Sequence, residues 1–479
     1  MPVISQDNEF ILEDLELENF WRSRPFHLEV TRNTPILSFA QKIEAVDPLA
    51  VLDGLAGEAG LRFYWENPSK QEAVAAWGVT RDLLVNSPGR FEQTQLFVDS
   101  CFDQVQQEGD IGSTGSETRV FCSFSFFEDS AYSERNGGGT QPTATMFLPR
   151  FQITKKNKNH FLVINYPLSD HAQTPEVVRS LRDKVSSIDW SEYKELAPSH
   201  KKTIDWQEKD IFSAASSQYF KTTVRSALNS IALDEMSKIV LAHAVDIKSP
   251  TPFDTINSLQ NLRDRHPDCY IFDLRNNNGQ DFIGASPERL VSIQNRQLVT
   301  DALAGSAPRG KSTSEDVQWA NILLKNRKEK REHQAVSDFI TARLKNIGLK
   351  PQQLPLQLLQ LSNIQHLWTP IYAHLPKGIE PLEIIAQLHP TPAVAGVPNR
   401  IACNKIRHYE KFDRGLYAAP LGWIDNHGNC EFVVGIRSAL IEQNNARLYA
   451  GAGIVSGSNP DKEFVEIQLK LQSLLKALV

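Results

Sequence analysis

The stretch GAGIVSGSNPDKEFVEIQLK (451–470) decides between two fold classes. A glycine-rich turn that opens a helix suggests a phosphate cradle, and with it a doubly wound parallel sheet. The spacing is not G-x-G-x-x-G, and only 28 residues follow Gly451, too few for the helix, next strand and acidic ribose ligand of a dinucleotide unit. No G-K-[ST] follows, so it is not a P-loop. What remains is a strand-to-helix turn in which glycine tolerates positive φ. The helix is well marked: Ser458 or Asn459 can cap it, and Pro460 suits its first position. Glu463, Glu466 and Lys470 then share one face. That face is either a solvated salt-bridge stripe or a site, with carboxylates for a hard cation and a lysine and glycine amides for an anion.

Outward from this segment the chain alternates short strands and blocks of helix. Residues 1–205 read mainly as strands, among them FCSFSFF (121–127), TATMFLPRFQI (143–153) and FLVINYPL (161–168), with loop composition over 129–142 and 154–160. From 206 to 479 a helix is expected at 208–230 and a strand at 238–247. CYIFDLR and FIGASPERLVSI read as a strand pair, 313–347 as one helical stretch, and 460–477 as the last helix. Strands joined by hairpin-like turns, with helices in blocks, indicate α+β layering. No linker separates the N-terminal part from the rest, so both belong to one globular unit.

The net charge of −6 argues against a nucleic-acid binder, which needs a basic surface. The basic run KNRKEKREH (325–333) alternates with acids and reads as a helix face. Five scattered cysteines without a C-x-x-C fit a reducing compartment and neither a disulfide framework nor a zinc site. No apolar run reaches the roughly 20 residues of a membrane span, and the acidic N-terminus lacks signal-peptide order. The expectation is a soluble, cytoplasmic protein.

Three further residues carry chemistry. Glu332 lies in register with the apolar stripe Val336 and Phe339, at its edge or pointing into a cavity. Two carboxylates from separate helices could share Mg²⁺, which leaves room for substrate oxygens. Lys238 opens the apolar strand KIVLAHAV; it is a snorkelling surface residue or, if desolvated, a general base. Glu288 follows Pro287 in GASPERL; it is ordinary turn chemistry or, if partly buried, a general acid.

Together KIVLAH, GASPERL, ALAGSAPRG, KREH, IQHLWTP, HPTPAVAG, FVVGIRSA and the 451–470 stretch resemble, in collinear order over about 207–473, the chorismate-utilising enzymes. The resemblance implies two large packed β-sheets flanked by helices, the fold of anthranilate synthase component I and aminodeoxychorismate synthase, with a site in the cleft between them. It implies Mg²⁺ held by Glu332 and Glu466, with Glu463 close by, gripping the ring carboxylate of chorismate. Arg437, Lys470 and the backbone at Gly451 would hold the enolpyruvyl carboxylate, Ser306 and His366 would lie near the substrate, and His389 would stand at the wall with Ala393. Monomers are usual in the family.

The branch follows from chemistry. Members that add water carry lysine where Lys238 stands, and those using ammonia usually carry glutamine. Ala304 occupies the place of the lysine that attacks the ring in the aminodeoxychorismate branch. Salicylate-forming members tend to carry a hydroxyl-bearing residue at the position of Ala393 and alanine at that of Val394. The resemblance therefore implies conversion of chorismate to isochorismate, for menaquinone or phylloquinone synthesis. Salicylate formation, or a non-catalytic anion-binding protein on the same fold, are the alternatives. Ala419 stands where the family usually has glycine; if the position requires positive φ, the turn is strained by roughly 1 kcal/mol or more.

Overall fold

The strand Ala144–Lys156 is where the sheet divides. In the computed structural model, which describes residues 31–57, 60–129, 142–168, 174–196, 214–361 and 364–478, one edge of this strand pairs along its length with Glu72–Val85. The other edge is shared, Phe121–Phe124 pairing at one end and Phe161–Ile164 near the other. Two wings grow from this fork. One runs from Glu72–Val85 through Arg62–Asn67, Tyr270–Arg275, Asp281–Ser286, Ser438–Glu442 and Asn445–Val455 to Lys238–Lys248. The second runs from Arg119–Phe124 through Pro420–Asp425, Cys430–Val434, Arg289–Gln294 and Gln297–Pro308 to Ile364–His374. The two sheets expected from the sequence are thus wings of one hydrogen-bonded sheet, almost wholly antiparallel and flanked by helices.

Burial explains why the strands read so apolar. Pro420–Asp425, Cys430–Val434 and Asp281–Ser286 are buried at every position, so neither face alternates with solvent. Trp65, Trp77, Trp423, Phe63 and Phe121 fill the interior. The N-terminal strands are hydrogen-bonded into both wings, Arg62–Glu66 with Ile271–Arg275 and Arg119–Ser123 with Leu421–Asp425. Arg62 reinforces the first junction with ion pairs to Asp273 at 2.9 Å and Asp281 at 3.0 Å.

Local chemistry corrects three boundaries. The stretch expected as one helix over 313–347 is two, Thr313–Lys325 and Arg327–Asn346. Asn326 divides them, because its extended backbone ends the first while its side chain accepts from the Lys328 and Glu329 amides to cap the second. FIGASPERLVSI breaks at Pro287–Glu288 into strands of opposite wings, since proline cannot donate to a ladder. The glycines of GAGIV belong to the strand Asn445–Val455 and not to a turn; the turn is 456–459, and Asn459 caps the helix Pro460–Leu475. The residues 130–141 of the expected glycine-rich loop and 208–213 of an expected helix lie outside the described residues. Among the described residues, no helix is long and apolar enough to cross a membrane.

Candidate active site

Two of the places where the chain crosses between wings, 287–288 and 435–437, face one cavity of about 230 Å³. That is below the roughly 300–1,000 Å³ of drug-sized pockets and suits a small polar metabolite. The first crossing is Pro287–Glu288. It is pinned by the Ser286 hydroxyl donating to the Val434 carbonyl at 2.7 Å, and by the Val434 amide donating to the Glu288 carbonyl at 3.0 Å. The second contains Arg437, held at φ 49°, a strained conformation of the kind retained where a side chain must be aimed. Its Nη1 lies 3.7 Å from Cys269 Sγ.

Lys238 begins its strand at the cavity floor. Its side chain is 5% exposed, and Nζ donates to Glu332 Oε1 at 2.6 Å. The glycines make this approach possible. A Cβ on Gly453 would lie 3.2 Å from Glu332 Oε1, and one on Gly451 would lie 2.8 Å from the Tyr417 hydroxyl. Their absent side chains leave that room. On the last helix, Lys470 Nζ donates to Glu466 at 2.7 Å and to the Gly451 carbonyl at 2.8 Å.

Acids outnumber bases here. Glu288, Glu329, Glu332, Glu463 and Glu466 line the cavity with Lys238, Lys328, Arg437 and Lys470. Burial raises the Glu288 carboxyl to about 7, with Asp301 adding to the rise and Lys238 opposing it. Glu329 is raised by burial and then by Glu332 and Glu466. Glu463 is raised by burial and by Glu466, against a hydrogen bond from Ser458. Acids that repel one another at a cavity wall are suited to a divalent cation. Among the described residues no three of His, Cys, Asp and Glu converge into a metal cage.

On the facing wing, a bulge in the ladder between Ala304 and Ser306, at Gly305 with φ 79°, re-aims the strand. Ser306 Oγ and His366 Nδ1 are 3.0 Å apart. Burial, then Arg437 and Lys470, depress His366 to about 3, so it is neutral, and its Nε2 has no hydrogen-bond partner among the described residues. The cavity thus brings together Lys238, Glu288, Ser306, Glu332, His366, Ala393, Arg437, Gly451, Glu463, Glu466 and Lys470.

His389 is not among them. Its Nε2 lies 3.0 Å from the Phe126 carbonyl and its ring meets Phe126 edge-on, so it lines a separate cavity with Arg90 and Cys403. Position beside the HPTPA wall did not distinguish the two sides of that wall. Ala419 is likewise not at positive φ; Ala418 is, at 60°, so the strained residue is one position earlier. Sequence reasoning missed Glu329, Lys328, Tyr417 and Tyr449. Glu329 was findable, one turn before Glu332 on the same helix face. The two tyrosines, stacked with centroids 5.1 Å apart, carry no local signal.

Comparison with known proteins gives the same picture. A family model described as chorismate binding enzyme matches residues 24–479. The chain is 30% identical over 455 residues to the isochorismate synthase MenF of Bacillus subtilis, covering 92% of this chain and 93% of that one. Its structure resembles MenF, the menaquinone-specific isochorismate synthase from Escherichia coli, with a TM-score of 0.75 and 26% identity over 95% and 97% of the two chains. Anthranilate synthase component I from Streptococcus pneumoniae, at 19% identity and a TM-score of 0.65 over 85% and 92%, shares the fold. This chain belongs to the chorismate-binding enzyme family.

Proposed function

We propose that the protein is an isochorismate synthase, converting chorismate to isochorismate for quinone synthesis. One observation carries the reading: Lys238 and Glu288 line the same small cavity, with Glu288 raised to about 7 and so able to arrive protonated. Arg437 and Lys470 hold the enolpyruvyl carboxylate, and neutral His366, through its Nε2, meets a substrate oxygen. Lys238 takes a proton from a water that forms a bond to C2 of the ring. The ring double bonds shift, the C4–O bond breaks, and Glu288 gives its proton to the departing hydroxyl, which leaves as water. One water enters and one leaves, so the net change is an isomerisation. As an ammonium paired with Glu332, Lys238 has no lone pair; to act as the base it first loses that proton to solvent, after which it can still donate an N–H to Glu332.

Glu332 and Glu466 would hold Mg²⁺, with Glu329 and Glu463 lining the same cavity. The repulsion among these acids supports this, as does the preference of Mg²⁺ for one or two carboxylates plus substrate oxygens. When bound, the ion supplies orientation and charge stabilisation at the ring carboxylate. Ala393 and Val394 favour stopping at isochorismate. Incubation with chorismate and Mg²⁺, followed by product identification, tests the reading. Isochorismate alone is expected, and EDTA should abolish it; salicylate with pyruvate would shift the assignment to that branch, and no consumption would overturn it.

A further inference from the structure

Among the described residues, the strand that carries Lys238 has only a two-residue neighbour on its outer edge. Gly396–Val397 pairs only with Lys238 and Ile239, and the Val240 amide reaches the Ala395 carbonyl at 2.8 Å. The next two groups on that edge, the Val240 carbonyl and the Ala242 amide, are met by side chains. Arg414 Nη2 donates to the Val240 carbonyl at 2.8 Å, and the Ala242 amide donates to Glu410 Oε1 at 2.7 Å. Arg414 and Glu410 are themselves joined at 2.9 and 2.6 Å. A donor and an acceptor in ladder order, rigidly linked, substitute for the missing strand.

The same guanidinium reaches across the cavity wall. Arg414 Nη1 donates to the Val394 carbonyl at 2.8 Å, and its plane lies over the Phe126 ring at 4.3 Å and near Tyr417 at 5.8 Å. Val240, Val394 and Tyr417 all line the cavity. Arg414 is 1% exposed and Glu410 4%, and neither side chain lines the cavity. We propose that Arg414, held by Glu410, is a positioning residue: it fixes the separation between the strand bearing Lys238 and the wall at Val394, and thereby the path of the attacking water. This rests on the function proposed above.

Arg414→Lys tests it, because lysine keeps the charge opposite Glu410 but cannot hold both carbonyls at once. With chorismate and Mg²⁺ the variant should fold to a wild-type far-UV spectrum and lose about 10–100-fold in kcat, the scale of a small misplacement. KM should change less than about threefold, since Arg437 and Lys470 are untouched. Amide exchange should quicken at 239–242 and 394–395 while Ala144–Lys156 keeps wild-type protection. A folded variant with wild-type kcat, a loss matching its unfolded fraction, or failure to fold would each overturn the positioning role. A wild-type protein that leaves chorismate unchanged would overturn the proposed function instead, and the exchange pattern would still judge the splint.

Discussion

At the junction of Arg62–Asn67 with Tyr270–Arg275, buried acids are answered by arginines; at the cavity, the paired acids Glu332 and Glu466 are answered by lysines. Arg62 spans Asp273 and Asp281, and Arg275 binds Asp281 through two nitrogens at 2.7 Å each. The Arg62 fork locks the N-terminal strand Arg62–Asn67 onto Tyr270–Arg275 and Asp281–Ser286, and the Arg275 fork ties those two strands to each other. In the cavity, Lys238 and Lys470 each hold one carboxylate by a single ammonium, leaving other acids to repel one another. Fixed forks serve architecture. Point charges on flexible stems can be exchanged for a cation or a substrate, and that is what chemistry requires.

Substitutions should separate the two regions. The largest effect is expected from Lys238→Ala, which should lower kcat by about 10⁴-fold, the upper end for a general base, read on the folded fraction because the change also strands Glu332. A variant retaining more than a tenth of wild-type turnover would remove Lys238 from that role. Arg62→Ala should do the reverse, costing about 3–5 kcal/mol in urea unfolding because it strands buried acids, while the folded fraction keeps its kcat. If its kcat fell instead, the division between architecture and chemistry would fail.

Glu288→Gln should cost about 10²–10³-fold in kcat, as expected for a lost general acid. In the wild type Glu288 must be protonated and Lys238 neutral in the free enzyme, so kcat/KM follows the product of the two fractions, and the slope of its logarithm against pH should drop by one through about 7, where Glu288 loses its proton. A profile with no break there, or a break that survives in Glu288→Gln, would contradict this assignment. The smallest effect on stability should come from Glu466→Gln, whose pair with Lys470 is 43% exposed on the acid side and so worth about 0–1 kcal/mol. Its mark should be a higher Mg²⁺ requirement in a metal titration of turnover.

What the sequence showed of this site was whatever sat within a few residues of a motif. The cap at Asn459, the shared face of Glu463, Glu466 and Lys470, and the strand beginning at Lys238 were legible because helix and strand periods are local. The fork at Ala144–Lys156 was not, since one edge serving two partners depends on residues far apart in sequence. The same reason hid Tyr417 and Tyr449, which meet across strands, and the turning of His389 towards Phe126. The glycines were recognised but misplaced: their use, leaving room for the Glu332 carboxylate and the Tyr417 hydroxyl, exists only once three elements have converged.

The central claim is that water, activated on one side of the ring, replaces a hydroxyl released on the other. Turnover of chorismate with Mg²⁺ in ¹⁸O-labelled water measures this directly. The account predicts isochorismate carrying one ¹⁸O atom, at C2. Unlabelled isochorismate would show that the oxygen migrates within the substrate, and the roles of Lys238 and Glu288 would fall with it.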